Sequence, residues 1–324
     1  MPPASAAPSK PPADRSRLRT GFTTGACAAA AAKAATRCLL RGTVLTDITT
    51  TLPNRDRVSF ALARCVLSPP TALASVIKDA GDDPDCTHGA ELVAEVALSP
   101  TPGVHILGGR GIAVVTKPGL GLEVGAPAVN PIPRKNITAM VEEELLSAGV
   151  SAGVTVTLSV PAGEEMAKQT LNARLGLVGG ISILGTSGIV TPYSTAAYKA
   201  SIVQAIDVAA RRGQRQLVVT TGGKSETYAM RLFTDLPEDA FIQMGDFVGI
   251  TLRHCVRRGI ANVAVVAMIG KLSKMADGRM QTHAAGSEVN MALLASLAAE
   301  LGAPQALVDA IAAANTARHV LELC

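Results

Sequence analysis

The chain has 324 residues, of which 48% are hydrophobic and 17% are charged, so it is long enough for about two globular domains with their own cores. Aromatic residues make up only 2% and tryptophan is absent, which argues against a binder of single-stranded nucleic acid, because such proteins stack bases on aromatic side chains. The net charge of +4 is mild and is compatible with an acidic small-molecule substrate.

The amino terminus and the cysteines indicate the cellular compartment. Residues 1–16 are rich in proline, alanine and serine and contain no apolar segment, so we expect a disordered tail there and not a targeting signal. The six cysteines have no CxxC spacing, which is typical of reduced thiols and predicts a cytoplasmic location. No stretch has the roughly 18 apolar residues that a membrane helix needs, so no membrane segment is predicted.

The first regular element is a helix that is predicted to begin at Thr23 or Thr24 and to end at Arg41, with Gly42 after it. Thr23, Thr24 and Gly25 stand where a helix has free N–H groups and the positive end of its dipole. We therefore expect these three residues to bind an anionic group of a substrate. A plain helix cap explains the same residues equally well, and both interpretations stay open.

Short strands dominate the next part of the chain. They are predicted at 44–52, 58–67, 75–78, 93–98 and 152–160. The last of them alternates apolar with small or hydroxyl residues, as a strand with one buried face does. A helix is predicted at 133–148, with Ile137, Met140, Val141 and Leu145 on its buried side and Gly149 at its end. This segregation of strands and helices predicts an α+β domain over 17–172.

A first polar loop, at 79–91, holds four aspartates, His88 and a glutamate. Asp82, Asp83 and His88 are candidate catalytic residues that orient a substrate or transfer a proton, because carboxylates and imidazoles are the usual general acids and bases. A solvated Asx turn is the alternative, since Asp, Pro and Gly favour turns. The spacing of an EF-hand fails, and no protein-bound metal is predicted.

A second polar region runs from 108 to 135, where glycines and prolines fix the backbone around three cations. These cations are Lys117, Arg134 and Lys135. Cations placed in this way suit the recognition of carboxylates or phosphates, which makes the three side chains candidate substrate-binding residues. A solvated basic rim is the alternative.

The last part of the chain is predicted to form a small α/β domain over 173–324. Its strands are predicted at 175–184, 216–220, 240–244 and 262–269, as a four-stranded, mostly parallel sheet. Each strand leads into small or polar residues, and in an open parallel sheet such exits converge on one crevice that binds a cofactor. The candidate cofactor-binding residues are Gly179, Gly180, Gly185, Thr186, Ser187, Gly188, Thr221, Gly222, Gly223 and Asp246. For Asp246, a plain helix cap is the alternative.

Familiar nucleotide and hydrolase motifs fail in this domain. The glycine spacing at 180–187 is that of a Walker A loop, but Thr186 stands where the lysine belongs. Ile189 replaces the last glycine of a GxSxG elbow around Ser187, which argues against a hydrolase of that type. No GxGxxG follows the first strand, so a nicotinamide-dependent enzyme lacks motif support.

Several stretches together resemble one family, the cobalt-precorrin-5B C1-methyltransferases of the anaerobic route to cobalamin. They are LRTGFTTGACAAAAAK (18–33), GDDPDCTHGAE (81–91), VVTKPGL (114–120), NPIPRK (130–135), the segment 174–192 and GDFVG (245–249). The resemblance covers nearly all of the chain after the tail. Ala26, Cys86 and Ser187 are small departures from the residues expected in relatives.

The resemblance implies transfer of a methyl group from S-adenosylmethionine to carbon 1 of cobalt-precorrin-5B, giving cobalt-precorrin-6A and S-adenosylhomocysteine. It also implies an α+β domain with a permuted ribosomal-protein-like fold that binds the polyanionic corrinoid, and an α/β domain that binds the methyl donor. The cobalt belongs to the substrate. The alternatives are a nicotinamide-dependent reductase of a tetrapyrrole and a non-catalytic corrinoid-binding protein, although the DxHxxG pattern of cobalamin-binding modules is absent. Assembly into a homo-oligomer is left open.

Overall fold

A computed structural model describes residues 17–283 and 286–324. The chain divides into two units, Met1–Ser194 (unit 1) and Thr195–Cys324 (unit 2). The domain boundary that the sequence predicts, at 172/173, lies earlier in the chain than this division between Ser194 and Thr195. The tail predicted at 1–16 lies outside the described residues.

Unit 1 combines helices and strands, as the sequence predicts. Its helices are α1 (Thr24–Arg41), α2 (Pro131–Ala148), α3 (Gly163–Ala167) and α4 (Asn172–Leu175). Its strands are β1 (Gly21–Phe22), β2 (Asp47–Thr51), β3 (Arg57–Ala61), β4 (Arg64–Ser68), β5 (Thr71–Ile77), β6 (Glu91–Ser99), β7 (Val104–Gly108), β8 (Gly111–Ile112), β9 (Val114–Val115), β10 (Gly153–Ser159), β11 (Leu177–Val178), β12 (Gly180–Ile181) and β13 (Ile189–Val190).

The main sheet of unit 1 has five strands in the order β4-β5-β6-β10-β7. Neighbouring strands are antiparallel except for the parallel pair β10 and β7. Val154, Val156 and Leu158 of β10 are buried, which confirms the predicted alternation. The single strand predicted at 58–67 is wrong, because β3 ends before β4 begins and the apolar pattern continues across the turn between them.

Helix α1 is the centre of unit 1, and its predicted limits are confirmed by a Thr23 cap and by Gly42 at φ 66°. It is buried on all sides, from Thr24 through Thr36, and it packs against α2 and the main sheet. Alanine suits this position because its side chain ends at Cβ and lets the neighbouring elements approach closely. In α2, the predicted buried face and the end at Gly149 are confirmed.

Two buried charges join α1 to α2. Lys33, 3% exposed, donates from Nζ to Oε1 of Glu143 at 2.8 Å. Arg37 makes two hydrogen bonds to Glu144, which is also 3% exposed, at 2.9 and 2.7 Å. Since a buried charge is costly unless it is paired, these contacts allow a lysine and a glutamate inside the helix pair.

The segment 174–192 belongs to unit 1, and its prediction as the first strand of the second domain is wrong. Strand β11 pairs with β9, β12 with β8 and β13 with β1, so the segment adds short strands to three small ladders of unit 1. Gly176 and Gly179 have φ of 80° and 88°, and these left-handed residues break the apolar run into pieces. The run is only partly buried, because Leu177, Ile181 and Ile183 are buried while Val178 and Leu184 are exposed, and its pairing partners are ones that its composition does not reveal.

Unit 2 is built around a parallel sheet of three strands, not the predicted four. The strands are β14 (Gln216–Thr220), β15 (Phe241–Gln243) and β16 (Asn262–Val266), in the order β15-β14-β16. The helices are α5 (Thr195–Arg211), α6 (Gly223–Leu232), α7 (Val248–Arg257), α8 (Ile269–Ala276), α9 (Met291–Glu300), α10 (Gln305–Ala312) and α11 (Ala317–Leu323), with a 3-10 turn at Glu238–Ala240. In the described part of the chain, no helix has both the length and the apolar character needed to cross a bilayer.

Replacing Glu144 by alanine tests the charges between α1 and α2. The change leaves Arg37 and the buried Lys33 without this partner, so we expect the free energy of unfolding to fall by about 3 to 5 kcal/mol. Urea denaturation followed by circular dichroism measures it. Glu142→Ala on the same helix is the control, because Glu142 is exposed and surface changes usually stay within about 0.5 kcal/mol. Equal losses in both variants would contradict this account.

Candidate active site

In unit 1, residues 79–91 (the acidic loop) are held by Arg19. The Arg19 guanidinium pairs with both carboxylate oxygens of Asp79, and its backbone N–H donates to Oδ2 of Asp82 at 2.6 Å. The hydrogen bond from Arg19 has the largest effect on Asp79 and lowers the pKa of its carboxyl to about 2. Gly81 N–H donates to Oδ1 of Asp79 at 2.9 Å, the hydrogen bond of an Asx turn. Part of the acidic loop is therefore the turn that the sequence offers as the alternative.

A buried ion pair closes the base of the acidic loop. Lys78, 1% exposed, donates from Nζ to Oδ2 of Asp85 at 2.6 Å. The other oxygen of Asp85 accepts from the N–H and the hydroxyl of Thr87, at 2.7 and 2.6 Å. Burial acts to raise the pKa of Asp85, but the charge of Lys78 and these hydrogen bonds outweigh it and lower the pKa. The loop is thus anchored at its beginning by Arg19 and at its middle by Lys78.

Two predicted catalytic residues are positioned by backbone groups. Oδ1 of Asp83 accepts from Tyr193 N–H at 2.7 Å, and burial, the largest effect, raises the pKa of this carboxyl. Nδ1 of His88 accepts from Ala80 N–H at 3.1 Å, and the His88 side chain is 54% exposed. In the neutral ring this leaves the proton on Nε2, which can donate to a substrate. The third predicted residue, Asp82, is exposed beside them.

The start of α1 is packed into the protein. The Thr23 hydroxyl caps Ala26 N–H at 3.2 Å, and Gly25 N–H donates to the carbonyl of Leu184 at 3.0 Å. The Thr24 hydroxyl accepts from Leu184 N–H at 2.9 Å and donates to the carbonyl of Ser182 at 3.2 Å. These contacts give Thr23, Thr24 and Gly25 a structural role, and their part in anion binding stays a prediction.

The three predicted substrate-binding cations have different surroundings. Lys117 is half-buried and donates from Nζ to the carbonyl of Arg174 at 2.9 Å. Arg134 is half-buried and Lys135 exposed in the first turns of α2, and no described residue forms an ion pair with either. These two side chains can therefore meet a substrate carboxylate without breaking an existing ion pair.

Several predicted regions of unit 1 converge on the chain around 19–25, whereas Lys117 lies against Arg174 and Gly176. A Cβ added to Gly25 would lie 2.8 Å from Cγ of Pro133, so the first turns of α1 and α2 are neighbours. A Cβ added to Gly185 would lie 2.4 Å from Oγ1 of Thr23, and one at Gly21 would lie 2.0 Å from the carbonyl carbon of Ala80. The segment 182–188, the acidic loop and the start of α2 thus all meet the same few residues.

The glycines of the segment 174–192 serve close backbone packing at several points. A Cβ at Gly180 would lie 2.1 Å from the carbonyl oxygen of Gly111, and one at Gly188 would lie 3.1 Å from Leu52. The Ser187 hydroxyl accepts from Ile189 N–H at 3.2 Å. Gly179 and Thr186 are exposed. The expectation that this segment shares a sheet edge with Thr221–Gly223 is wrong, because the two lie in ladders of different units.

In unit 2, the carboxyl ends of three parallel strands place polar and small residues at one edge of the sheet. Thr221, Gly222 and Gly223 follow the central strand β14 and lead into α6. A Cβ added at Gly222 or Gly223 would meet no atom within 4 Å, and no described residue accepts a hydrogen bond from either N–H. This turn is therefore open to a ligand that accepts hydrogen bonds from the backbone.

Asp246 lies just past β15 and is part of a polar network. Its Oδ1 is 3.0 Å from Nζ of Lys271 and accepts from the Thr282 hydroxyl at 2.9 Å. Close by, Nε2 of Gln243 donates to Oε2 of the buried Glu226 at 2.6 Å. Among the described residues, none contacts Oδ2 of Asp246, and a carboxylate accepts several hydrogen bonds, so the side chain retains capacity for a hydroxyl ligand.

Sequence reasoning missed the aromatic residue on the first turns of α5. Tyr198 packs against Phe247, with ring centroids 5.6 Å apart, and its hydroxyl lies 3.5 Å from the carbonyl of Gln243. Burial raises the pKa of Tyr198, and the charges of Asp246 and Glu226 raise it further. The signal was weak, because one tyrosine in a helical pattern does not show which strand end it faces.

Most of the sequence of this chain matches known proteins. A family model described as CbiD matches residues 12–192, and one described as CbiD, C-terminal domain, matches residues 281–324. The chain belongs to the CbiD family. Membership agrees with the resemblance found in the sequence motifs, and the first match spans nearly all of unit 1.

Two relatives of this chain are named as the same enzyme, and one solved structure is similar to it. The cobalt-precorrin-5B C(1)-methyltransferase of Leptospira interrogans is 57% identical over 95% of this chain and 84% of its own length. The protein of that name from Geobacillus kaustophilus is 56% identical over 94% of this chain and 82% of its own length. A crystal structure of a cobalamin biosynthesis protein (cbiD) from Archaeoglobus fulgidus is 28% identical, covers 81% of each chain and has a TM-score of 0.44.

Proposed function

We propose that this protein is an S-adenosylmethionine-dependent methyltransferase that methylates carbon 1 of cobalt-precorrin-5B, yielding cobalt-precorrin-6A and S-adenosylhomocysteine, in the cytoplasm. The observation that supports it most is the 57% identity to a relative of that name along 95% of the chain. The experiment is incubation with methyl-labelled donor, the corrinoid and a reduced nicotinamide cofactor. A labelled ring supports the proposal. An unlabelled but bound ring supports a non-catalytic corrinoid-binding protein, and nicotinamide oxidation supports the reductase.

The methyl donor fits the edge of the unit 2 sheet. It carries a cationic centre, ribose hydroxyls and an amino-acid end, so it needs carboxylates, backbone donors and room. Gly222 and Gly223 offer open backbone, and Asp246 offers a carboxylate near the same strand ends. We assign Thr221, Gly222 and Gly223 to the polar end of the donor and Asp246 to its ribose hydroxyls. Gly179, Gly180 and Gly185–Gly188 lie in unit 1 and not at the edge of the unit 2 sheet. The position of that sheet edge therefore does not support a donor contact at these residues.

The donor supplies an activated methyl group when bound, and the chain's task is to hold the reacting groups in line. Such positioning accounts for roughly 7 to 11 kcal/mol of a barrier when the geometry is good. No protein nucleophile or protein-bound metal is required. The described residues contain no group of three or more His, Cys, Asp or Glu side chains arranged to hold a metal ion, and the cobalt arrives with the substrate.

The corrinoid is assigned to unit 1, where cations and the acidic loop lie near one helix start. Arg134 and Lys135 are available to pair with substrate carboxylates, and Lys117 adds a third positive charge. Thr23, Thr24 and Gly25 belong to the same region through their contacts with the start of α2. In the acidic loop, Asp82, Asp83 and His88 orient the macrocycle or transfer a proton. This is a role for anchored side chains, which the Lys78 and Arg19 contacts provide.

Replacing Asp246 by asparagine tests the donor site. Asparagine can still accept from Thr282, but it loses the charge-assisted hydrogen bonds to a ribose, so we expect donor affinity to fall about 10- to 100-fold. Isothermal titration with S-adenosylhomocysteine measures it. Asp309→Asn, at an exposed position of α10, is the control and should bind normally. Unchanged affinity in Asp246→Asn would end this assignment.

Removing the cations of α2 tests the corrinoid site. In Arg134→Gln/Lys135→Gln, two charge-assisted contacts to carboxylates are lost, so we expect the apparent corrinoid affinity to fall at least about tenfold and to depend less on salt. Steady-state titration of the corrinoid at two salt concentrations measures both effects. Lys168→Gln is the control, because Lys168 is an exposed cation that already pairs with Glu165. If the double variant and the control bind alike, the corrinoid is held elsewhere.

Replacing Asp83 by asparagine and His88 by alanine tests the acidic loop. If these groups transfer a proton or orient the ring, the single-turnover rate of methyl transfer falls about 100-fold while the donor affinity is unchanged. Rapid quench with labelled donor measures the rate. Asp56→Asn, on the exposed turn between β2 and β3, is the control. Full rates in both loop variants would make the loop purely structural.

A further inference from the structure

The aromatic pair of unit 2, Tyr198 and Phe247, has a cation close to one of its rings, and the donor contacts assigned above do not involve this ring. Nζ of Lys199 lies 5.0 Å from the centroid of the Phe247 ring, within the distance of a cation–π interaction. Lys199 forms no ion pair with any residue that the structure describes. The Phe247 ring therefore attracts the Lys199 ammonium although no described carboxylate pairs with this ammonium.

The position of this ring is also specific. Phe247 directly follows Asp246 at the end of β15, and Tyr198 reaches the same strand end through its contact with Gln243. The chain has only five phenylalanines and three tyrosines, and the other ring pair described, Phe22 with Phe60, lies in the packed interior of unit 1. In contrast, Tyr198 is 39% exposed and Phe247 is half-buried.

We propose that the face of Phe247, flanked by Tyr198, binds the sulfonium of the methyl donor in the place that the Lys199 ammonium now takes. This inference rests on the proposed function. A sulfonium has carbon substituents and no N–H groups, so it loses less hydration than an ammonium when it moves onto an aromatic face. The demethylated product is neutral at sulfur and makes only the weaker contact of a thioether with the ring. Phe247 thus distinguishes donor from product, and Lys199 competes with the donor.

The test compares two affinities in the full-length protein by isothermal titration, one for S-adenosylmethionine and one for S-adenosylhomocysteine. In Phe247→Leu, which keeps an apolar side chain but removes the ring, we expect donor affinity to fall about 2- to 30-fold and product affinity to fall less. In Lys199→Gln, we expect the ratio of donor to product affinity to rise, because a competing cation is gone. Phe233→Leu, at the far end of α6, is the matched control for loss of a phenylalanine.

The possible outcomes distinguish a failure of the sulfonium assignment from a failure of the proposed donor site. Equal losses of donor and product affinity in Phe247→Leu, or an unchanged or lower affinity ratio in Lys199→Gln, overturn the sulfonium assignment and leave the donor site standing. If Phe247→Leu does not fold by circular dichroism, the ratio in Lys199→Gln decides alone. If the unmodified protein binds neither compound, both the inference and the proposed donor site fail.

Discussion

The close packing of α1 is the constraint on which unit 1 depends. The helix is enclosed by α2 and by strands of the main sheet, and nearly every residue from Thr24 to Cys38 is buried. Most of these buried positions hold alanine, which lets the neighbouring elements approach closely, and a larger side chain at one of them would force those neighbours apart. The few polar residues inside it are satisfied locally, as Lys33 is by Glu143 and Thr36 is by the carbonyl of Ala32.

The same packing gathers the candidate corrinoid residues. Because α1 is fixed in the core, its first turn is a fixed point against which the segment 182–188 and the start of α2 rest, and the acidic loop contacts residues 19–22 just before the helix. The acidic loop adds its own anchors, because Arg19 holds its beginning at Asp79 and Asp82 and the buried Lys78 holds its middle at Asp85. A site built on such a frame loses little conformational entropy when a large, rigid macrocycle binds.

In unit 2 the candidate residues are brought together by the sheet itself, since its strands are parallel and their carboxyl ends meet at one edge. The glycine turn after β14 and the Asp246 network after β15 are neighbours for that reason. Tyr198 joins them from α5, a helix that precedes the sheet in the chain. The edge therefore combines open backbone, carboxylates and an aromatic face, which are the three kinds of group that a cationic nucleoside requires.

The sequence by itself determined the elements whose signals are local. The limits of α1 follow from its cap and from Gly42, the buried face of α2 from its 3.6-residue period, and the alternation of β10 from its period of two. The family also followed from the sequence, because several separate motifs had to agree.

Tertiary structure alone decided which elements pair. A run with little charge such as 174–192 can pack against many apolar surfaces, so its composition could not show that it pairs with β1, β8 and β9 instead of extending the sheet of unit 2. It also decided that Thr24 bonds Leu184 and that Tyr198 reaches the end of β15. These contacts join residues far apart in the chain, and local periodicity carries no information about them.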